Sequence, residues 1–205
     1  MKLFTTSRAP NPDRVRYFIA EKGITGIELV EVSLMKGEHR TPEYRAKNSV
    51  GRIPALELDD GTVISESRAI CTYLEGIYPE PNLMGATPLE RARIEMWDRR
   101  MELNLFFPIA NAVRHGHPAL SVLEKQIPDW AASSADTAQK SADWLERELS
   151  DGRAYLNGAF SIADITGYVA FGFGRMIKFR PWETRPHLNA WRDRVAARPG
   201  MADIK

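Results

Sequence analysis

The segment NSVGRIPALELDDGTVISESRAI, residues 48–70, carries three structural signals in a row. Residues 55–58 and 62–65 are short β-prone runs flanking Asp59-Asp60-Gly61, which spells a hairpin with glycine available for positive φ. Ser65 then stands where a helix cap is expected. Ala69, Ile70, Tyr73, Leu74 and Ile77 follow as an apolar stripe at helical spacing. Ahead of the hairpin, Ile53-Pro54 ends an Asn-Ser-Val-Gly-Arg turn, and proline there suits the first residue of an edge strand.

Working outward toward the N-terminus, Thr41-Pro42-Glu43 opens a short helix that ends before Asn48. Residues 2–6 form a first strand, and a turn rich in proline and polar residues runs through Ser7, Arg8, Ala9, Pro10, Asn11 and Pro12. A helix carrying Val15, Phe18 and Ile19 follows and stops at Lys22-Gly23, before a second strand around Ile27 and Leu29. Strand, helix and strand within about 30 residues make a βαβ unit with parallel strands. The N-terminal segment therefore reads βαβαββα.

Toward the C-terminus, Pro79, Glu80, Pro81, Asn82 and Gly85 make the clearest break in the chain. Thr87-Pro88-Leu89-Glu90 is a capping box that opens a long helix through Trp97, Met101 and Leu105, with Pro108 expected to kink or end it. Further helical stretches fall at about 134–149, 162–177 and 187–197 with no strand pattern between them. The expected organisation is an α/β unit over residues 1–78, a linker over 79–87 and an all-helical unit over 88–205.

Composition narrows the function. The 205 residues carry 28 Lys and Arg against 27 Asp and Glu, a formal charge of +1 that creates no global field for nucleic acid or an acidic membrane. A single cysteine, Cys71, excludes a disulfide framework, a Cys-x-x-Cys pair and a thiolate metal cluster within one chain. No apolar run of signal-peptide or membrane-span length is present, so a cytoplasmic protein is expected. Arg114-His115-Gly116-His117 lacks the carboxylate or thiolate partners of a metal tract, and no metal is expected. The basic stretch 175–198 reads as a solvated helix face, and Cys71 as an inert packing residue.

The order βαβαββα followed by a helical unit resembles the cytosolic glutathione transferase superfamily, nearest to its bacterial nu-like, theta-like and zeta-like classes, over essentially the whole chain. Three motifs carry the resemblance. Asn48 to Leu56 is similar to the superfamily segment that ends in a cis-proline, which implies a thioredoxin-like domain and a backbone edge at Ile53 for the cysteinyl part of glutathione. Ser65-Glu66-Ser67-Arg68 lies at a helix start, where free N–H groups and the Ser67 hydroxyl hold a carboxylate and Glu66 pairs with an ammonium; the resemblance assigns both to the γ-glutamyl end. Ser161-Ile162-Ala163-Asp164 is similar to the superfamily's capping segment and is assigned to folding.

For the glycine carboxylate the candidates are Arg52, always charged and bidentate, and His39, with Lys36 as a substitute. The thiol-activating donor is less clear, because the serine position of the tau-like and zeta-like classes falls on Ala9. Asn11 is the first candidate, Ser7 the second and Arg8 the third. Asn11-Pro12 as an ordinary helix start is the competing reading. Met101, Asn104 and Phe107, three residues apart, are expected to wall a hydrophobic co-substrate site. The resemblance also implies glutathione as co-substrate and a homodimer, with Arg68 a guess for a dimer contact. The expected reaction is conjugation of glutathione to small hydrophobic electrophiles, a detoxification chemistry. Glutathione-dependent disulfide reduction and non-catalytic binding on the same scaffold are the alternatives.

Overall fold

The computed structural model describes residues 1–202. A four-stranded sheet is formed by β1 (Lys2–Thr5), β2 (Glu28–Glu31), β3 (Ala55–Glu57) and β4 (Val63–Ser65), in the order β2-β1-β3-β4. β1 runs parallel to β2 and antiparallel to β3, which pairs antiparallel with β4. Leu3 is opposite both Leu29 and Leu56, and Leu56 is opposite Ile64.

Because side chains alternate across a strand, adjacent residues serve two layers. Leu3 and Leu56 pack with Val15 and Phe18 of α1 (Pro10–Glu21) and with Ile70, Cys71 and Leu74 of α3 (Ser67–Ile77). Their neighbours Phe4 and Ala55 join Val32, Ile53 and Tyr44 of α2 (Pro42–Lys47) in a separate cluster on the other face. The sheet therefore has helices on both sides, and the βαβαββα reading is realised.

The helical domain begins with α4 (Pro88–Arg100), whose Thr87–Glu90 capping box is complete. α5 (Phe107–Gly116), α6 (Pro128–Glu148), α7 (Ile162–Gly174), α8 (Pro186–Ala196) and the short α9 (Pro199–Ala202) follow. Nearly every residue of α7 is buried, as befits a helix surrounded by others. Gly167 lets it approach its neighbours closely: a Cβ there would lie 3.1 Å from Trp191 and 3.3 Å from the Met101 sulfur.

Several sequence expectations are corrected. Pro108 does not end the long helix. A π-helical stretch, Met101–Phe106, precedes it, and the chain continues as α5 with proline in the first turn, where its missing N–H costs nothing. Arg114, His115 and Gly116 are thus helical, not a loop, and the Nδ1 atoms of His115 and His117 accept from the Ile127 and Ala119 N–H groups. Ser65 closes β4 and the N-cap of α3 is Glu66. Ala69 and Ile77 are exposed, because the buried stripe of α3 runs through Ser67, Ile70, Cys71 and Leu74. Cys71 is fully buried, and burial pushes its thiol up to about 12, as an inert packing residue requires.

Arginine–carboxylate pairs join the two domains. Arg68 Nε lies 2.7 Å from Asp98 Oδ2, and Asp98 Oδ1 accepts from the Thr166 hydroxyl at 2.5 Å. Arg198 lies 2.7 Å from Glu21, and Arg14 lies 3.1 Å from Glu102. Arg68 therefore serves an internal strut between the domains. The connecting segment is tied down as well. Lys22 Nζ donates to the Pro81 carbonyl at 2.7 Å and pairs with Glu75, which accepts from the Leu83 and Met84 N–H groups. In the basic C-terminal stretch, Arg185 pairs with Asp143 and Arg192 stacks on Trp182, so internal contacts account for part of its charge.

Candidate functional site

The turn between β1 and α1, the start of α3 and the approach to β3 lie at one end of the sheet, where Ala55 pairs with both Phe4 and Ser65. α1 begins with Pro10-Asn11-Pro12 behind an extended Ala9 that offers no side-chain cap. Two prolines delete two of the four amide donors a helix start normally leaves free, and the Asp13 N–H bonds back to the Ala9 carbonyl. Among the described residues the Asn11 N–H has no acceptor, and it lies at the positive end of the helix. Burial pushes the Asp13 carboxyl up to about 6 against the pull of Arg16, which reduces the opposing negative charge beside it in mildly acidic solution.

Asn11 and Ser67, 56 residues apart, meet. The buried Ser67 hydroxyl donates to Asn11 Oδ1 at 3.3 Å and accepts from Arg14 Nη1 at 3.2 Å. This relay engages the carbonyl oxygen of the Asn11 amide and leaves its two Nδ2 hydrogens for another acceptor. Arg14 was the residue that sequence reasoning missed. It is 1% exposed, its guanidinium also lies 5.3 Å from the Phe106 ring centroid, and its Nε and Nη2 have no partner among the described residues. Its only sequence signal was a charged residue at a core-facing position between Asn11 and Phe18 on a short amphipathic helix.

Glu66 is exposed, its side chain makes no hydrogen bond or ion pair among the described residues, and it has φ 68°, a conformation uncommon outside glycine. Arg8, in the turn opposite, has φ 61°. Backbone strain of this kind persists where the surroundings hold it, and it collects at ligand sites. Ser7 and Arg8 are exposed, and their side chains have no hydrogen-bond partners among the described residues.

The Ile53-Pro54 bond is cis, as is Glu80-Pro81. Just upstream, the Arg52 carbonyl accepts from the Tyr44 hydroxyl at 2.8 Å and from Asn48 Nδ2 at 2.7 Å, which fixes the backbone entering Ile53. The Ile53 side chain is buried, yet its N–H and C=O have no partner among the described residues, and pairing of β3 with β1 starts only at Ala55. A paired strand normally satisfies both groups, so this is an open edge for a short peptide.

His39 is buried with Nδ1 unpartnered, and burial together with Arg40 and Arg45 lowers its pKa. Its imidazole is thus neutral at pH 7 and supplies a hydrogen bond but no charge. Arg52 is exposed with no ion-pair partner among the described residues, and Lys36 is exposed in the same region. Of the three expected cleft-wall residues, Met101 is corrected: it is fully buried against Gly167. The wider π turn at Met101–Phe106 takes residues three apart off a common face. Asn104 is exposed in a groove with Leu103, Thr137, Lys140 and Trp144, its carbonyl accepting from Ser141, while Phe107 is 60% exposed.

Asp164 lies away from the cleft. Its carboxylate accepts from the N–H groups of Leu156 and Ser161, the Ser161 hydroxyl and Trp191 Nε1, in keeping with the folding role assigned to the Ser161–Asp164 pair.

Comparison with known proteins agrees with this geometry. Residues 3–82 match the family model described as glutathione S-transferase, N-terminal domain, and residues 110–199 match glutathione S-transferase, C-terminal domain. Glutathione S-transferase 2 of Saccharomyces cerevisiae is 37% identical over the whole chain and 89% of that protein. The crystal structure of Gtt2 from the same yeast superposes with a TM-score of 0.93 at 36% identity, covering 100% of both chains. A glutathione S-transferase domain-containing protein of Marinobacter aquaeolei gives 0.93 at 41% identity, over 98% of this chain and 100% of that one. With its open Ile53 edge beside two helix starts, and with both domains matched, the chain belongs to the glutathione S-transferase family.

Proposed function

We propose that the chain conjugates glutathione to small hydrophobic electrophiles in a detoxification role. The unpaired Ile53 backbone beside the Arg14–Ser67–Asn11 relay carries this reading. In it the α3 N-terminus and Ser67 hold the γ-glutamyl carboxylate, Glu66 holds the ammonium, Ile53 pairs with the cysteinyl backbone, and Arg52 with His39 takes the glycine carboxylate. Ser67 redirects its hydroxyl hydrogen from Asn11 to the carboxylate when the peptide binds. Asn11 donates Nδ2–H to the sulfur, joined by its own N–H and the positive end of α1, and so favours the thiolate over the thiol. The thiolate then attacks the electrophilic carbon, forming the S–C bond as the leaving group departs with the bonding pair. The one cysteine of the chain is buried and held as a thiol, so the reacting sulfur is that of glutathione.

Phe107, exposed at the start of α5, suits a wall of the electrophile site, with Asn104 farther along the same rod. A homodimer is part of the proposal. Leu89, Met96 and Leu103, seven residues apart along the α4 rod, are all exposed and offer an apolar stripe to a second copy. The proposal also places the protein in the cytoplasm and its domain boundary at residues 79–87.

Ultraviolet titration of bound glutathione tests the activating group. A hydrogen bond to a charged group contributes about 1.5–3 kcal/mol, so Asn11→Ala should raise the bound thiol pKa by about one unit or more, and Ser7→Ala should leave it in place. An unchanged pKa in Asn11→Ala removes Asn11 from the mechanism. For assembly, light scattering should give the mass of two chains for the wild type and a single chain for Leu103→Glu; a wild-type monomer refutes the dimer.

A further inference from the structure

The face of the sheet that carries α2 leaves part of its surface open. A shallow hollow of about 210 Å³ lies there on a floor of Phe4, Val30, Val32 and Tyr44. Phe4, Val32 and Tyr44 are buried, and the Phe4 and Tyr44 rings meet edge to face with 5.9 Å between centroids. The same two rings support the backbone around Ile53 from behind: the Tyr44 hydroxyl donates to the Arg52 carbonyl, and Phe4 stands opposite Ala55. Charged side chains surround the floor. Lys47 is paired with Glu57 and lies 5.2 Å from the Phe4 ring centroid, so its charge is already answered. Glu38 and Glu43 line the hollow with no ion-pair partner among the described residues; one Glu38 oxygen accepts from the Ser33 N–H at 2.7 Å, and the other has no partner there.

Aromatic faces and unpaired carboxylates both attract positive charge, so a floor of this kind beneath two glutamates selects a cation with an apolar body over a neutral or anionic molecule. Volume sets its size. An apolar void of about 150 Å³ admits a benzene ring, whereas drug-sized ligands occupy about 300–1,000 Å³, so one ring with a short arm fills the hollow. We propose that the hollow is a second small-molecule site, on the opposite face of the sheet from α1 and α3, that binds a small arylalkylammonium. Its ring lies over Phe4 and Tyr44, and its ammonium meets Glu38 and Glu43. The site is distinct from the glutathione edge and from the co-substrate position, and it does not depend on the reading of either.

Calorimetric titration with 2-phenylethylammonium, 2-phenylethanol and phenylacetate, which share a ring and differ in charge, tests the site. The ammonium should bind about fivefold or more tightly than the alcohol, with phenylacetate weakest. Neutralising both carboxylates together, Glu38→Gln with Glu43→Gln, should erase the advantage of the ammonium over the alcohol. Val30→Phe should fill the hollow and remove binding of both, with glutathione affinity unchanged as the check on folding. Saturation with S-hexylglutathione, which occupies the glutathione and co-substrate positions, should leave ammonium binding in place. A wild type that does not bind the ammonium, or binds phenylacetate equally well, overturns the site. So does ammonium binding that survives Val30→Phe, keeps its advantage without the two carboxylates or is displaced by S-hexylglutathione.

Discussion

Asp164→Ala is expected to lower the unfolding free energy by about 4 kcal/mol, a large share of the roughly 5–15 kcal/mol typical of a folded domain. The carboxylate is fully buried, and the Leu156 N–H, the Ser161 N–H and the Trp191 indole N–H all converge on it. Removing it leaves three buried donors with no acceptor, each costing about 1–3 kcal/mol, partly relieved as the site relaxes or admits water. Urea denaturation measures the loss, and a change below about 1 kcal/mol would show that the capping network is dispensable. Burial pushes the Asp164 carboxyl from 3.8 up to about 6 despite those donors. The folded state thus binds this proton more tightly than the unfolded chain. The stability from that preference is full below 3.8 and is lost as pH rises through about 6. Asp164→Asn, which cannot titrate, should lack this slope, so its difference from the wild type should change between pH 4 and pH 7.

Ser67→Ala is expected to weaken glutathione binding at least tenfold and to leave the thiol pKa of what still binds in place. The first effect follows from losing a hydroxyl donor to a carboxylate at a helix start, worth about 1.5–3 kcal/mol. The second follows from the relay: the bound Ser67 hydroxyl has turned from Asn11 Oδ1 to the carboxylate, so its loss takes from Asn11 no partner that it keeps in the complex. S-methylglutathione separates the two, because it carries the γ-glutamyl end and no ionisable thiol. Loss of affinity for that analogue supports the carboxylate site at Ser67, and unchanged affinity excludes it.

Much of the fold was legible because its cues are local. Proline at the first turn of α2 and α4, the complete Thr87–Glu90 box and the Asp59-Asp60-Gly61 turn act within a few residues of themselves. The same holds for the Ile53-Pro54 motif and for Cys71, whose place on an apolar stripe foretold its burial. The misreadings were of another kind. Met101 was placed on a cleft wall by counting in threes, and a π turn changed the count. Ile77 fitted the apolar stripe of α3 but lies past the end of what the sheet covers.

The sequence by itself determined the order of elements, the capped starts of α2 and α4 and the absence of a reactive thiol, since each depends on short-range periodicity, on turn chemistry or on residue counts. Only the tertiary structure decided which polar groups meet: Arg14 with Ser67 and Glu102, and Arg198 with Glu21. These pairs join residues from 53 to 177 positions apart. Their meeting is set by how helices cross and how two domains dock, quantities that a linear pattern of polar and apolar residues does not encode.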